Sequence, residues 1–128
     1  MSPTQRTLAL LRKTWPLVAI TEHWCPFSRR RKDLFGFVDC LAIRHDDMLA
    51  VQTTSGTNVS ARLEKIQMSP NTVYWLSNPA CRLVIHGWAL RGPRGKRKVW
   101  TCRQVEVVLN ETGFPVIKED NGPLENIP

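Results

Sequence analysis

The sequence has no long apolar run. None of its hydrophobic stretches approaches the roughly 20 residues that a membrane-spanning helix needs. Residues 8–11 are also too few for the apolar core of a signal peptide, and Arg12 and Lys13 lie on the wrong side of them. We therefore expect a cytoplasmic protein with no membrane partner.

The cysteines form no C-x-x-C pair, the spacing typical of zinc ligands and redox thiols. Their even number would permit disulfides, but nothing in the sequence indicates secretion. A zinc site from His23, Cys25, Cys81 and His86 is an alternative, although its spacing matches no common zinc pattern. The sequence favours buried, reduced thiols.

Nucleotide-binding and hydrolase motifs are also missing. The chain contains no GxGxxG, no P-loop and no internal repeat, and no Ser/His/Asp arrangement can be argued from it. What remains is a chain of 128 residues, 42% hydrophobic and 23% charged. That composition is ordinary for one globular domain with its own core.

Acidic residues are scarce in the first 109 positions, which carry 17 basic and seven acidic side chains and a net charge of +10. A basic body suggests a polyanionic partner, most often nucleic acid, and the alternative is a generally solvated basic surface. Residues 110–128 contain one lysine and four acids, with little periodicity. We predict a single domain over residues 1–109, followed by a loosely ordered acidic tail over 110–128.

Two segments concentrate the positive charge. Residues 29–32 are four consecutive cations, which predict a loop because they cannot all be buried. Residues 91–98 form a glycine-rich basic loop with Trp88 and Trp100 on its two sides. Cations beside aromatic rings suit a wing that grips a nucleic-acid backbone and stacks on bases, whereas the alternative is a charged loop that keeps a sheet edge soluble. The candidate nucleic-acid-binding residues are Arg29, Arg30, Arg31, Lys32, Arg62, Arg91, Arg94, Lys96, Arg97 and Lys98.

The periodicity of apolar residues predicts both helices and strands, and hence an α/β (α+β) fold. Helices are predicted over residues 3–14, 59–68 and 70–77, and strands over 17–24, 81–90 and 98–109. Glu22 would lie on the first strand, on an apolar face. A lone carboxylate there is a candidate metal ligand, or a group with a shifted pKa. The alternative places Glu22 at a fraying strand end, paired with an arginine.

Residues 33–54 predict a β-hairpin, because apolar runs at 35–43 and 48–54 flank a polar break. With a two-residue turn at His45 and Asp46, facing residues have numbers that add to 91, so Asp39 faces Gln52. Their Cβ atoms would be roughly 5 Å apart on one face of the sheet. Two oxygen-bearing side chains at that spacing could hold a hard cation such as Mg²⁺. The alternative is a hydrogen bond between them.

This order of elements resembles the PD-(D/E)XK nuclease superfamily. Four segments resemble, more narrowly, a small phage and bacterial group assigned to it, with a Holliday junction resolvase-like or Mrr-like core: DLFGFVD (33–39), AVQTTS (50–55), NVSARLEKI (58–66) and HGW (86–88). The resemblance covers roughly residues 5–109. It implies a restriction-endonuclease-like fold, with a mixed central β-sheet flanked by helices.

The resemblance also implies a nuclease that cuts DNA phosphodiester bonds with Mg²⁺ or Mn²⁺. Asp39 would be the motif aspartate, Gln52 would occupy the Asp/Glu position, and Glu22 would be the upstream acid. The implied metal ligands are Asp39, Gln52, the Thr53 backbone carbonyl and Glu22. Structure-selective nucleases of this superfamily are often dimers, so a homodimer is one assembly that the resemblance allows.

The motif lysine is the main departure, because its position holds Thr54. A threonine hydroxyl cannot supply a positive charge, so Lys65 or Arg62 from the following helix would have to substitute. The candidate catalytic residues are therefore Asp39, Gln52, Thr54, Lys65 and Glu22. Without a substitute, the chain would be a catalytically inactive nucleic-acid-binding module. A third hypothesis is an accessory protein that binds an acidic partner.

Overall fold

The structure is a computed structural model that describes residues 1–124, with side chains to residue 118. It is an α+β fold with a mixed six-stranded sheet, in the order β1-β4-β5-β6-β7-β8, and a separate β2–β3 ribbon. The predicted mixed sheet with helices is thus confirmed. No helix among the described residues is long and apolar enough to cross a bilayer. The elements are α1 (Pro3–Leu11), β1 (Leu17–Ile20), β2 (His23–Cys25), β3 (Arg30–Lys32), β4 (Cys40–Arg44), β5 (Asp47–Ser55), α2 (Val59–Met68), α3 (Pro70–Leu76), β6 (Cys81–Arg91), β7 (Val99–Leu109) and β8 (Pro115–Leu124).

The β4–β5 hairpin has the predicted register. Arg44 pairs with Asp47, and the pairing continues to Cys40 with Val51, so that the paired numbers add to 91. His45 adopts a φ of 49° in the two-residue turn. β4 begins at Cys40, later than predicted, because residues 33–38 form turns that a bridge between Leu34 and Val38 closes.

The strand predicted over residues 17–24 is not continuous. β1 ends at Ile20 against β4, and β2 leaves the sheet to pair with β3. At the break, the backbone N–H groups of Thr21 and Glu22 both donate to the carbonyl oxygen of Asp39, at 2.8 and 3.3 Å. The prediction of a loop over the four cations is wrong for Arg30–Lys32, which form β3 with all three residues exposed.

The sheet is covered on both faces. On one face α1 packs against β4 and β5, and a Ser2 cap and Pro3 in the first turn begin this helix. It ends at Leu11, earlier than the predicted end at residue 14. On the other face α2 and α3 cover a larger core, with these buried members: Phe37, Val38, Ala50, Val59, Ile66, Leu83, Ile85, Val105 and Val107.

Residues 115–124 correct the prediction of a loosely ordered tail. They form β8, which pairs antiparallel with β7, with Val108 opposite Val116. Backbone hydrogen bonds to a neighbouring strand need no apolar alternation, so the sequence pattern did not reveal this strand. The Asn110 side-chain oxygen shapes the turn before it, accepting from the Thr112 and Phe114 backbone N–H groups. Residues 125–128 of the predicted tail lie outside the described residues.

Candidate metal centre

Asp39 and Gln52 lie directly beyond the last paired residues of the hairpin, on the face covered by α2. The Gln52 amide nitrogen donates to Asp39 Oδ2 at 2.8 Å. That oxygen also accepts from the Thr53 backbone N–H at 2.7 Å and from the Thr53 hydroxyl at 3.2 Å. Asp39 is 3% exposed and Gln52 is 1% exposed. The two side chains therefore meet on one face of the sheet as predicted, and they meet through the hydrogen bond that was the alternative to a metal.

Asp33 is a site residue that the sequence interpretation missed. The turns over residues 33–38 bring it back beside Asp39, and Asp33 Oδ2 accepts from the Gln52 amide at 3.2 Å. Oxygens of Glu22, Asp33 and Asp39 lie within 4.8 Å of one another. The available signal was an aspartate at each end of DLFGFVD, but no local pattern shows that the chain between them folds back.

Glu22 reaches this cluster from the break between β1 and β2, and not from a strand face as predicted. The pairing with an arginine that was the alternative for Glu22 is confirmed. Glu22 joins the acidic cluster, and its carboxylate also lies 3.6 Å from the Arg31 guanidinium. The backbone bonds of Thr21 and Glu22 to the Asp39 carbonyl hold this segment in place.

One proton is retained in the cluster. Burial raises the pKa of Asp39 to about 8, and a hydrogen bond and charge from Asp33 act in the same direction. Burial also acts to raise the pKa of Asp33, but hydrogen bonds with Asp39 and Gln52 and the Lys65 charge outweigh it and hold that pKa below its usual value.

The Gln52 side-chain oxygen is a buried acceptor with no hydrogen-bond partner among the described residues. Leaving such a group unpaired costs about 1–3 kcal/mol. Three carboxylates and an amide oxygen are the donors that hard divalent cations prefer. The three carboxylates therefore suit a hard divalent cation, and Asp33 lies with the residues of the predicted ligand set.

A cavity of about 760 Å³ opens above this cluster, and five cations line it: Arg30, Arg31, Lys32, Arg62 and Lys65. The Lys65 ammonium lies 3.3 Å from Asp33 Oδ2. Thr54, at the position of the motif lysine, is buried and also lines the cavity. Thr53 lines it too, and its N–H and hydroxyl contact Asp39, whereas the sequence prediction used its carbonyl.

The second basic segment does not line this cavity. Its cations Arg91, Arg94, Lys96, Arg97 and Lys98 lie at and beyond the end of β6, and Arg29 is likewise outside the lining. The predicted stacking by two tryptophans is not supported. Trp88 is buried and donates to the Thr7 hydroxyl, and the Arg6 guanidinium covers the Trp100 ring at 3.7 Å from its centroid.

The alternative zinc set does not form a cluster. Among the described residues, only Glu22, Asp33 and Asp39 group closely enough to share an ion. His86 is instead buried under α1, where the Thr7 hydroxyl lies 3.0 Å from its Nδ1, and burial lowers its pKa to about 4. All four cysteines are free thiols, as predicted. Cys40, Cys81 and Cys102 are buried, whereas the prediction of burial is wrong for Cys25, which is half-buried.

No protein-family model, curated protein or solved structure matches this chain. Membership of the PD-(D/E)XK superfamily therefore stays a prediction from the sequence segments.

Proposed function

We propose that this protein is a phosphodiesterase that cuts DNA with the help of Mg²⁺ or Mn²⁺. One observation carries the proposal: three carboxylates lie within 4.8 Å of one another at the floor of a cavity that cations line, beside a buried amide whose oxygen has no partner among the described residues. The oxygens suit a hard cation, and the surrounding cations suit the phosphates that the ion would help to cleave.

Asp33, Asp39 and Glu22 would hold the ion. Gln52 would join them once its amide reverses, because in this structure its nitrogen faces the two aspartates. When bound, a divalent ion supplies Lewis-acid polarisation of a phosphate and lowers the pKa of an attacking water. Asp39 has to give up its proton to act as a ligand, so binding should be stronger at higher pH. Gln52 contributes a neutral oxygen where a second motif carboxylate would be charged, so we expect modest metal affinity.

Lys65 takes the part of the missing motif lysine in this proposal. It is anchored on Asp33 at the cavity floor, so its ammonium is positioned to offset the negative charge that develops on a phosphate in the transition state. Thr54 lies on the same sheet face as Gln52 and offers only a hydroxyl. Arg62, one turn earlier on α2, lines the same cavity as a second cation.

The cations on the rim would bind the DNA backbone. Each phosphate contact on duplex DNA contributes about −0.9 to the slope of log K against log salt concentration, so binding should weaken steeply with salt. The 92–98 loop would add contacts further along the same end of the sheet. Such an enzyme would act in the cytoplasm of a bacterial or phage-infected cell, and a homodimer is one assembly in which it could do so.

Cleavage assays test the proposal directly. Purified protein is incubated with plasmid, single-stranded and branched DNA in Mg²⁺, Mn²⁺ or EDTA. We expect cleavage with either metal, none in EDTA, and none by Asp39→Asn. Asp46→Asn, at an exposed turn position, is the matched control and should cut like the wild type. Cleavage that persists in EDTA or in Asp39→Asn would eliminate the metal mechanism.

The second candidate is a nucleic-acid-binding module without catalytic activity. Thr54 at the lysine position favours it, because no motif cation is present on β5. This candidate predicts the same salt dependence of DNA binding, but it predicts that no DNA is cut. Tight, salt-sensitive binding without cutting on every DNA tested would select this candidate.

A further inference from the structure

The β2–β3 ribbon carries an exposed aromatic tip. We define the aromatic hairpin as residues 23–32, in which β2 and β3 pair from His23 opposite Lys32 to Cys25 opposite Arg30. Phe27, in the connecting turn, is 97% exposed, and Trp24 is 58% exposed. Large apolar side chains displayed this openly commonly mark a contact surface, because displaying them to water has no stabilising effect.

The aromatic hairpin is also the most basic part of the cavity rim. Arg29, Arg30, Arg31 and Lys32 follow the tip directly, and all four are exposed. Three of them line the cavity of the candidate metal centre. A surface that combines exposed rings with a run of cations is complementary to a polyanion that carries flat apolar groups, and nucleic acid has that chemistry.

The base of the aromatic hairpin is joined to the acidic cluster. The two backbone hydrogen bonds from Thr21 and Glu22 to the Asp39 carbonyl fix the base of the hairpin, and the Arg31–Glu22 ion pair joins β3 to the cluster. Each three-residue strand spans about 10 Å. Phe27 therefore stands within a few nucleotides of any phosphate that occupies the cavity.

We propose that the aromatic hairpin binds unpaired bases, with Phe27 stacking on a base close to the phosphate in the cavity. The inference deepens the proposed function: it names DNA with unpaired or interrupted bases, and not continuous duplex, as the substrate class. In a continuous duplex the base faces are stacked on each other and offer Phe27 no partner, whereas every unpaired base offers one. An anionic lipid surface is a less suitable partner, because the cations that line a concave cavity cannot all lie on a flat membrane.

Binding assays in EDTA test the inference without cleavage. Two fluorescent DNAs of equal length are compared, a continuous duplex and one with an internal unpaired bulge. We expect the wild type to bind the bulged DNA more tightly. Phe27→Ala should weaken binding to the bulged DNA by roughly 5- to 150-fold, the range for loss of one base–aromatic stack, and leave the duplex unaffected. Phe27→Trp should retain the preference.

The matched control is Phe114→Ala, which removes another exposed phenylalanine, in the turn before β8. It should bind both DNAs like the wild type. Phe27 has no packing to lose, so the thermal midpoint of Phe27→Ala should equal that of the wild type.

The binding results decide whether Phe27 stacks on unpaired bases. Equal binding of the two DNAs by the wild type, or an unchanged preference in Phe27→Ala, overturns the inference while leaving cleavage activity to be judged separately. A preference for bulged DNA that Phe27→Ala abolishes supports the inference even if the protein never cuts. Binding to anionic phospholipid vesicles that Phe27→Ala abolishes, with no effect on DNA, would overturn it in favour of a membrane surface.

Discussion

The Lys65 ammonium and the Gln52 amide both donate to the same oxygen of Asp33, at 3.3 and 3.2 Å. Helix α2 thereby places a positive charge at the acidic floor. Strand β5 supplies no such charge, because Thr54 stands at the motif position. Asp33 is the residue that joins the two elements. This relationship makes Lys65 the first residue to test.

Lys65→Met should reduce cleavage by roughly 100- to 1000-fold, the usual effect of removing one group that stabilises transition-state charge. DNA binding should weaken only by the equivalent of one phosphate contact. The measurements are single-turnover cleavage and salt-dependent binding. Lys13→Met, at an exposed position after α1, is the control. If Lys65→Met cleaves DNA as fast as the wild type, another group supplies the charge.

Gln52→Glu should strengthen metal binding, because it adds a formal charge to the ligand set. In EDTA the same variant should be less stable than the wild type, since a fourth carboxylate joins the cluster. The measurement is thermal unfolding with and without Mg²⁺. A ligand at ten times its Kd stabilises the folded state by about 1.4 kcal/mol, so the gain on adding Mg²⁺ should be larger for the variant. Equal gains would contradict Gln52 as a ligand.

Asp39 should make the metal-free protein less stable as pH rises. Its folded pKa, about 8, lies above the unfolded value of about 3.9, so the native state retains a proton that the unfolded state loses. The resulting stabilisation is complete below about pH 4 and is lost as pH rises through 8. Urea unfolding in EDTA across this range should show the advantage of wild type over Asp39→Asn declining with pH.

The comparison with Asp39→Asn also cancels the effect of a second titrating group, His86, on stability. The low folded pKa of His86 lowers stability as pH falls from about 6.5 to 4, the opposite sign, and it does so in both proteins. Parallel pH profiles of the two proteins would show that Asp39 holds no extra proton when folded.

Thr7→Val should destabilise the protein by about 1–3 kcal/mol, because it leaves the buried Trp88 indole N–H without its acceptor. Valine preserves the shape of the side chain, so lost packing contributes little. The free energy of unfolding is measured by urea titration, with Thr14→Val at an exposed position as the control. A change as small as that of the control would mean that Trp88 finds another partner.

Gly87→Ala should cost about 1–3 kcal/mol by overpacking, because a Cβ at this position would lie 2.5 Å from Val59 Cγ2. Gly87 pairs with Thr54 on the neighbouring strand, where α2 begins to pack on the sheet. Adding Val59→Ala to Gly87→Ala should recover part of the lost free energy of unfolding, as measured by urea titration. Failure of the double variant to recover would indicate a clash with the Gly56 backbone instead.

The sequence by itself determined the features that depend on near neighbours. The alternation of apolar residues about a two-residue turn specified that Asp39 faces Gln52, since a shift of one residue would have moved every side chain to the opposite face. The apolar stripe of residues 59–68 likewise specified α2, and with it the placement of Lys65 after β5.

Only the tertiary structure decided which distant groups meet. Asp33 enters the site because turns closed by backbone hydrogen bonds fold residues 33–38 back, and no side-chain pattern encodes that reversal. Residues 115–124 became a strand because the edge of β7 offered backbone partners. Arg6 covers Trp100 because α1 packs across the sheet. In each case a contact between residues far apart in the chain outweighed the local pattern, and such contacts exist only once the chain has folded.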